Sequence, residues 1–171
     1  MAKLAGKQII TVDEMSQEID LKRYIGKDPT PEQKKLFAEL AIEQINQRTL
    51  DGKTIHNGKF KRYSKSYADL KGVTRDSVDL FLDGDMLGSL DAEETNKGVK
   101  IIIDGDLETK KGFNHHIGDT LPKRPWFGLT TEETRRIADQ VKDAIPEEKS
   151  ESFTLADLQK ALASLGLEQV D

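Results

Sequence analysis

The residues in this sequence with the most chemical potential are its three histidines, two Asp-Gly-Asp tripeptides and a basic stretch that contains tyrosines. His115 and His116 are adjacent, and neighbouring side chains on a helix point about 100° apart, so these two cannot chelate one metal ion. His56 is distant in sequence. We therefore expect no metal site, and we expect His115 and His116 to be solvated or to lie in an interface.

The tripeptides Asp83-Gly84-Asp85 and Asp104-Gly105-Asp106 suggest a divalent cation at first sight. A calcium loop, however, needs further oxygen ligands at alternating positions and a terminal bidentate Glu. The first tripeptide is followed instead by apolar residues, beginning with Met86. Because Asp caps turns and Gly adopts positive φ, both tripeptides are predicted to be turns, and no cofactor is expected.

Nucleophilic catalysis has no sequence support. The chain contains no cysteine, which excludes a thiol nucleophile, a thiolate metal site and a disulfide framework. Ser64 and Ser66 lack the Gly-x-Ser-x-Gly context, and no glycine-rich phosphate loop occurs. Acidic residues are so numerous that carboxylate pairs carry little information. We therefore expect that the protein is not an enzyme. The alternative among enzymes is a hydrolase.

Opposite charges are segregated into two neighbouring stretches. The stretch 59–71 is basic and contains Tyr63 and Tyr67, whereas the stretch 76–94 contains seven acidic residues and no Lys or Arg. Three interpretations remain open: binding of single-stranded nucleic acid by the basic stretch, pairing of the two stretches between adjacent copies of the chain, or simple solvation. The net charge of −5 disfavours a general nucleic-acid binder.

The elements that position these residues indicate an α+β fold. Thr30-Pro31 starts a helix predicted to end near Gln47, and Thr130 with Glu133 forms a capping-box pattern before a helix that Pro146 ends. The β-branched segment 98–103 is the clearest strand. Further predictions are a strand over 78–82 that pairs antiparallel with 98–103, helices over 66–70, 85–90 and 106–114, and an edge strand, if any, over 122–129.

The chain length fits one domain with tails. We predict an extended N-terminal arm over residues 1–29, a core over 30–145 with a small antiparallel sheet against two longer helices, and a linker with a short C-terminal amphipathic helix over 146–171. No apolar run approaches the roughly 18 residues of a membrane span, and the first residues lack the apolar run of a signal peptide, so neither membrane insertion nor secretion is expected.

Three segments within residues 31–145 carry a resemblance to a known family. They are the YSKSYAD segment with Tyr63-Ser64 and Tyr67-Ala68, the segment 82–90, and RPWFGL over 124–129, in that order. The chain resembles the phage virion-morphogenesis and tail-completion proteins, of the Mu type and among related siphophage tail-component proteins.

The resemblance implies a homo-oligomeric ring, commonly sixfold, at the head–tail neck of a virion assembled in the host cytoplasm. Such a ring contacts a connector or adaptor ring on one side and a tail terminator or tail tube on the other, while genomic DNA passes through its lumen without specific binding. Tail terminator and minor tail protein are alternative roles. A nucleic-acid-binding accessory protein is the alternative from another class. The charge pattern and the resemblance together nominate these interface or fold residues: Lys59, Arg62, Tyr63, Tyr67, Asp83, Asp85, Met86, Arg124, Pro125, Trp126 and Phe127.

Overall fold

A computed structural model describes residues 2–80, 84–118 and 120–146, and of the C-terminal segment only residues 156 and 159. Over these residues the fold is α+β, as predicted. Four strands form one antiparallel sheet in the order β1-β2-β4-β3. Their bounds are β1 Lys7–Ile10, β2 Met15–Asp20, β3 Leu90–Glu94 and β4 Gly98–Ile103.

The helices begin and end largely where local signals predicted. The side chains of Thr30 and Thr130 each accept a hydrogen bond from a backbone amide of the first turn. Their own backbone amides donate in return to the side chains of Gln33 and Glu133, which completes two capping boxes. The helix bounds are α1 Lys22–Ile25, α2 Pro31–Leu50, α3 Lys65–Lys71, α4 Asp85–Gly88, α5 Asp106–Ile117 and α6 Thr131–Ala144. The predicted C-terminal helix lies outside the described residues except for positions 156 and 159, which are helical.

The prediction of an N-terminal arm is wrong. Strand β2 lies inside the sheet between β1 and β4, and Met15, Gln17 and Ile19 are buried. The segment alternates with the period of a strand, but Gln17 occupies a core-facing position where an apolar residue would normally reveal it. Because Gln17 is polar, the sequence pattern did not indicate a strand there.

The prediction of a strand over 78–82 is also wrong for its described residues. Val78 to Leu80 form no strand, Leu80 has φ +55, and positions 81 and 82 lie outside the described residues. The partner of β4 is instead β3, whose first residue, Leu90, was predicted to end α4. Three carboxylates make β3 resemble a loop, which is a common way of protecting an exposed sheet edge. The segment 122–129 forms no strand either.

The helices pack on one face of the sheet. Residues of β4 that face them, such as Ile101, are fully buried, whereas Lys100 and Ile102 on the opposite face remain partly exposed. Gly112 lets α5 approach closely, because a Cβ there would lie 2.8 Å from Ile103 and 3.0 Å from Trp126. Within the described part of the chain, no helix combines the length and apolar character needed to cross a bilayer.

Candidate functional site

The segment Arg124–Leu129 runs through the centre of the fold. Trp126, Phe127 and Leu129 are fully buried, and the two aromatic rings meet edge to face with centroids 5.7 Å apart. The Trp126 indole N–H donates to the Gly112 carbonyl at 3.1 Å, so its polar group is satisfied. Trp126 and Phe127 are therefore elements of the core. Pro125 is half-buried, and its carbonyl accepts from the Ile55 amide at 2.8 Å.

Arg48, from the last turn of α2, fixes this segment from one side. One guanidinium nitrogen donates to both carboxylate oxygens of Glu133 at 2.7 Å, and another donates to the carbonyls of Trp126 and Gly128 at 2.8 Å each. Glu133 also caps α6, since its carboxylate accepts from the Thr130 amide. One buried ion pair thus joins two helices to the segment between them.

Gln17 fixes the same segment from the sheet. Its amide group donates to the carbonyls of Ala5 and Leu129 at 2.6 and 2.9 Å, and its oxygen accepts from the Leu129 amide at 2.7 Å. Gly128 has φ +103, and a Cβ there would lie 2.1 Å from the side chain of Gln8. Only glycine fits this conformation and this space without displacing the amide groups around it.

A second cluster, here called the tyrosine cluster, consists of Tyr63, Tyr67, Lys71, Asp79 and Arg124. The Arg124 guanidinium donates to the carbonyls of residues 61 and 62 at 2.9 and 3.0 Å and lies 5.3 Å from the centre of the Tyr63 ring. The rings of Tyr63 and Tyr67 meet edge to face at 4.7 Å. Arg124 therefore ties the basic stretch to the core through cation–π and main-chain contacts.

Lys71 and Asp79 complete the tyrosine cluster as an ion pair around the Tyr63 hydroxyl. Lys71 donates to that hydroxyl at 3.3 Å, and the amides of Asp79 and Leu80 approach it at 3.4 and 3.3 Å. Desolvation lowers the pKa of Lys71, but its hydrogen bonds to Asp79 and Tyr63 outweigh this, so the pKa lies above its usual value. Desolvation raises the pKa of Tyr67. At neutral pH the cluster therefore holds a cationic lysine and a neutral Tyr67 phenol, states suited to fixed hydrogen bonds.

The histidines of α5 are packed rather than solvated, which corrects that part of the sequence-based expectation. Burial, and then the charge of Arg124, lowers the pKa of His115 to about 4. Burial, followed by neighbouring positive charges, lowers the pKa of His116 to about 4, and its Nδ1 accepts from the Phe127 amide at 3.3 Å. Both imidazoles are thus neutral at pH 7. Among the described residues, no group of three or more His, Asp or Glu side chains is placed to hold a metal ion.

The cavity beside the tyrosine cluster is small. It has a volume of about 120 Å³, and its lining includes Tyr63, Tyr67, Met86 and His115. Ligand pockets for drug-sized molecules are usually about 300–1,000 Å³, so this space suits water or a side chain better than a cofactor. Two wider surface grooves, of about 540 and 570 Å³, lie beside the N-terminal hairpin and beside Arg48, and each is lined by side chains of both charges.

The basic and acidic stretches meet within one molecule. Arg62 pairs with Asp76 at 2.6 Å on the surface, and Lys71 pairs with Asp79 in the tyrosine cluster. Two charges of each stretch are therefore already matched within the chain. Lys59 and Asp85 are exposed, and Asp83 lies outside the described residues. Gly84 and Gly105 have positive φ, in agreement with turns at both tripeptides.

The fold thus brings together four of the nominated residues, Tyr63, Tyr67, Met86 and Arg124, around one cavity and ring cluster. Sequence reasoning missed Gln17 and Arg48 altogether and recognised Glu133 only as a helix cap. The alternation of residues 15–19 could have identified Gln17 if a core-facing glutamine had been considered. Nothing in the spacing of Arg48 signals its partners, which lie 78 or more positions away.

Comparisons with protein-family models, with curated proteins and with solved structures found no match to this chain.

Proposed function

We propose that this chain is a structural virion protein of the phage head–tail connection, a neck or tail-completion subunit that forms a ring between the connector and the tail. The supporting observation is that the three sequence segments behind the family resemblance converge in space. The first contributes Tyr63 and Tyr67, the second Gly84 and Met86, and the third Arg124, all around the tyrosine cluster and its cavity. Their order in the chain and their contacts together favour a shared fold over a chance match of short motifs.

The way polar groups are used also favours a structural role. The buried side chains of Gln17, Arg48 and Arg124 donate to main-chain carbonyls of other segments. Such bonds specify one arrangement of the chain, because breaking any of them leaves buried groups unpaired. A subunit that must present a fixed surface to copies of itself and to other particle components requires this kind of rigidity.

The rival nucleic-acid function has less support. The stacking mode of single-strand binding needs exposed aromatic rings beside free cations. Tyr63 is buried, and Arg62 and Lys71 are engaged with carboxylates. A filter-binding titration with single-stranded DNA across salt concentrations tests the rival directly, and salt-sensitive binding would favour it.

The decisive experiment removes the gene product from an otherwise intact particle. A nonsense mutation in the gene should give filled heads and separate tails that fail to join, visible by negative-stain microscopy, and adding the purified protein to the extract should restore joining. A matched protein with Phe127→Ala, whose core is destabilised, should restore joining less efficiently. Normal particles made without the protein would refute the proposal.

Placement within the particle separates the neck role from the terminator and minor tail roles. Gold-labelled antibody against a C-terminal tag should mark the head–tail junction once per particle. Label distributed along the tail, or at the tail tip, would replace the neck role with a minor tail role. Tails that grow beyond their normal length when the protein is absent would indicate a tail terminator instead.

A further inference from the structure

The two edges of the sheet carry complementary features. Strands β1 and β3 are the outermost strands, and no other strand within residues 2–80, 84–118 or 120–146 pairs with the outer side of either. Because β1 runs antiparallel to β2, β2 to β4 and β4 to β3, β1 and β3 run in opposite directions. Strand β3 of one copy can therefore join β1 of the next as a regular antiparallel pair, in a head-to-tail arrangement.

A row of alternating charges crosses the open face of the sheet. Lys7 of β1 lies opposite Glu18 of β2, Glu18 lies opposite Lys100 of β4, and Lys100 lies opposite Glu93 of β3. Directly opposed cross-strand side chains attract when their charges differ and repel when they match. The row begins with a cation at one edge and ends with an anion at the other. Placing Glu93 of one copy beside Lys7 of the next continues the alternation without a break.

The backbone hydrogen bonds agree with this register. The Thr11 amide donates to Glu14, so by the alternation of antiparallel ladders Gln8 and Ile10 direct their main-chain groups away from β2. The Asp104 amide donates to Ser89, so by the same alternation Leu90 and Ala92 direct theirs away from β4. When Glu93 faces Lys7, Ala92 faces Gln8 and Leu90 faces Ile10. The Ala92 amide donates to the Asp91 carboxylate at 2.8 Å in the single chain, and pairing with Gln8 would replace that bond. The outward-directed main-chain groups of one edge then meet those of the other.

The helix-facing side of the β3 edge has room for a neighbour. A groove of about 220 Å³ runs between β3 and α2, with Ala38, Ile42 and Ala92 among its lining residues. In the register above, Gln8 and Ile10 of the next copy point to this side of the sheet. A small residue at position 92 leaves space for these larger side chains, and partly exposed apolar surface from both copies would be buried.

We propose that copies of this chain associate head to tail by pairing the β3 edge of one copy with the β1 edge of the next, with Glu93 opposite Lys7. This inference deepens the proposed function and rests on it for the ring, since it names the surface through which adjacent subunits would meet. A head-to-tail contact generates a ring when the rotation between copies closes. The extended sheet would carry its charge row from one subunit into the next.

Cysteine coupling tests the register, because the chain has no cysteine of its own. Ile9 and Asp91 would face each other as a non-hydrogen-bonded pair, a geometry with Cα atoms about 4.5 Å apart that suits a disulfide. Within one copy these residues lie on opposite edges of the sheet, roughly 14 Å apart across three strand spacings, so they cannot bond internally. Two proteins, Ile9→Cys and Asp91→Cys, are mixed under mild oxidation and analysed on a non-reducing gel.

We expect the mixed disulfide to form about tenfold faster than a disulfide between two copies of Ile9→Cys, because edge pairing holds the unlike positions together. Two controls fix the interpretation. Glu18→Cys is exposed, as Asp91→Cys is, but lies inside the sheet. Ser89→Cys is displaced by two residues from Asp91 along the same edge and leaves Glu93 in place. Equal rates for all combinations, or faster coupling of Ile9→Cys with Ser89→Cys than with Asp91→Cys, would overturn the proposal.

Charge reversal supplies an independent test with the reporter cysteines in place. Glu93→Lys in the Asp91→Cys protein puts a lysine opposite Lys7 and should slow coupling several-fold. Adding Lys7→Glu to the Ile9→Cys protein should restore the rate. A further slowing, or no response to either change, would contradict the charge row. Circular dichroism and thermal unfolding check that each exposed substitution leaves the fold intact.

The coupling assay uses purified protein alone, so it is separable from the particle experiment. If the two edges couple but normal particles form without the protein, the edge-pairing inference stands and the neck function is refuted. Unjoined heads and tails together with an absence of edge coupling would retain the neck function and refute this inference.

Discussion

Two arginine–carboxylate pairs in this protein have the same chemistry and opposite surroundings. Arg48 and Glu133 meet at 2.7 Å with side chains 5% and 13% exposed, whereas Arg62 and Asp76 meet at 2.6 Å with side chains 63% and 69% exposed. Distance alone does not distinguish them. The first pair also satisfies two buried carbonyls, so its loss would strand several desolvated groups, while water replaces the second pair readily.

The difference assigns separate roles to two regions. The core around Arg124–Leu129 determines which fold forms, because the side chains of Gln17, Arg48 and Arg124 reach their main-chain partners in only one arrangement. The surface formed by the basic and acidic stretches, and by the edges of the sheet, contributes little to folding. Its charges are therefore not needed to hold the fold together.

The largest effect is expected from breaking the packing of the core. Phe127→Ala should lower the free energy of unfolding by about 3–5 kcal/mol, because the ring is fully buried and its removal leaves a cavity. Urea denaturation monitored by Trp126 fluorescence measures this loss. Leu70→Ala is the matched control, since Leu70 is 81% exposed and its truncation should change stability by less than about 0.5 kcal/mol. Equal effects of the two changes would contradict the division into core and surface.

Breaking the buried ion pair should cost nearly as much. Arg48→Met keeps most of the apolar stem but removes the guanidinium, which leaves the Glu133 carboxylate without its cationic partner and the carbonyls of Trp126 and Gly128 without the Arg48 donor. We expect a loss of about 3–4 kcal/mol in the same denaturation assay. The double variant Arg48→Met/Glu133→Gln should recover part of this loss, because it removes the uncompensated charge. If Arg48→Met/Glu133→Gln is no more stable than Arg48→Met, the lost stability comes from altered packing and not from the unpaired charge.

Acidification should destabilise the core through its two neutral histidines. Their pKa values are about 4 when folded, against roughly 6.5 when unfolded, so below about pH 6.5 the unfolded chain binds more protons and stability falls until about pH 4. Each histidine contributes up to about 1.4 kcal/mol per pH unit, which predicts a loss of about 2–3 kcal/mol between pH 7.5 and 5.5.

The control for this pH dependence is His115→Gln/His116→Gln, in which the slope of stability against pH should flatten over that range. Glu14 and Asp76 have lowered pKa values, since hydrogen bonds from Ser16 and from Arg62, respectively, favour their charged forms. Their contribution to the stability of the fold is lost only at about pH 4–5, where the carboxylates of the unfolded chain begin to bind protons. If the slope of stability against pH is unchanged in the double variant, the pH dependence comes from titratable groups other than these two histidines.

The smallest effect should come from the exposed pair. Arg62→Ala should leave the unfolding midpoint unchanged within error, because both partners are solvated and screened by salt. The same measurement with Asp76→Asn provides the reciprocal test. A clear destabilisation by either change would mean that the surface region also helps to determine the fold.

Local signals in the sequence were sufficient for much of the fold. Thr30 and Thr130 were recognised as caps because the capping interaction involves residues only three positions apart. Strand β4 was predicted with its observed bounds because β-branched residues predominate in it and turn residues flank it. Trp126 and Phe127 were nominated as interface or fold residues without a choice between the two, and both rings lie in the core.

Other features depended on partners that are remote in the chain. Strand β3 is acidic because one side of it is a sheet edge, and a sequence pattern alone does not distinguish such a strand from a solvated loop. The candidate site was predicted only in part for the same reason. Tyr63 and Arg124 were nominated separately, but their contact spans about sixty positions and depends on how the intervening strands pair.

Local sequence signals place the starts of the two principal helices and the turns at both Asp-Gly-Asp tripeptides, because these features depend on neighbours within a few positions. Long-range packing makes residues 15–20 an inner strand, buries Arg48 while Arg62 stays exposed, and brings the two stretches of opposite charge together within one molecule. The physical reason is that burial and long-range pairing are properties of the assembled chain, and the energy of a charge or an amide depends on whether water can reach it.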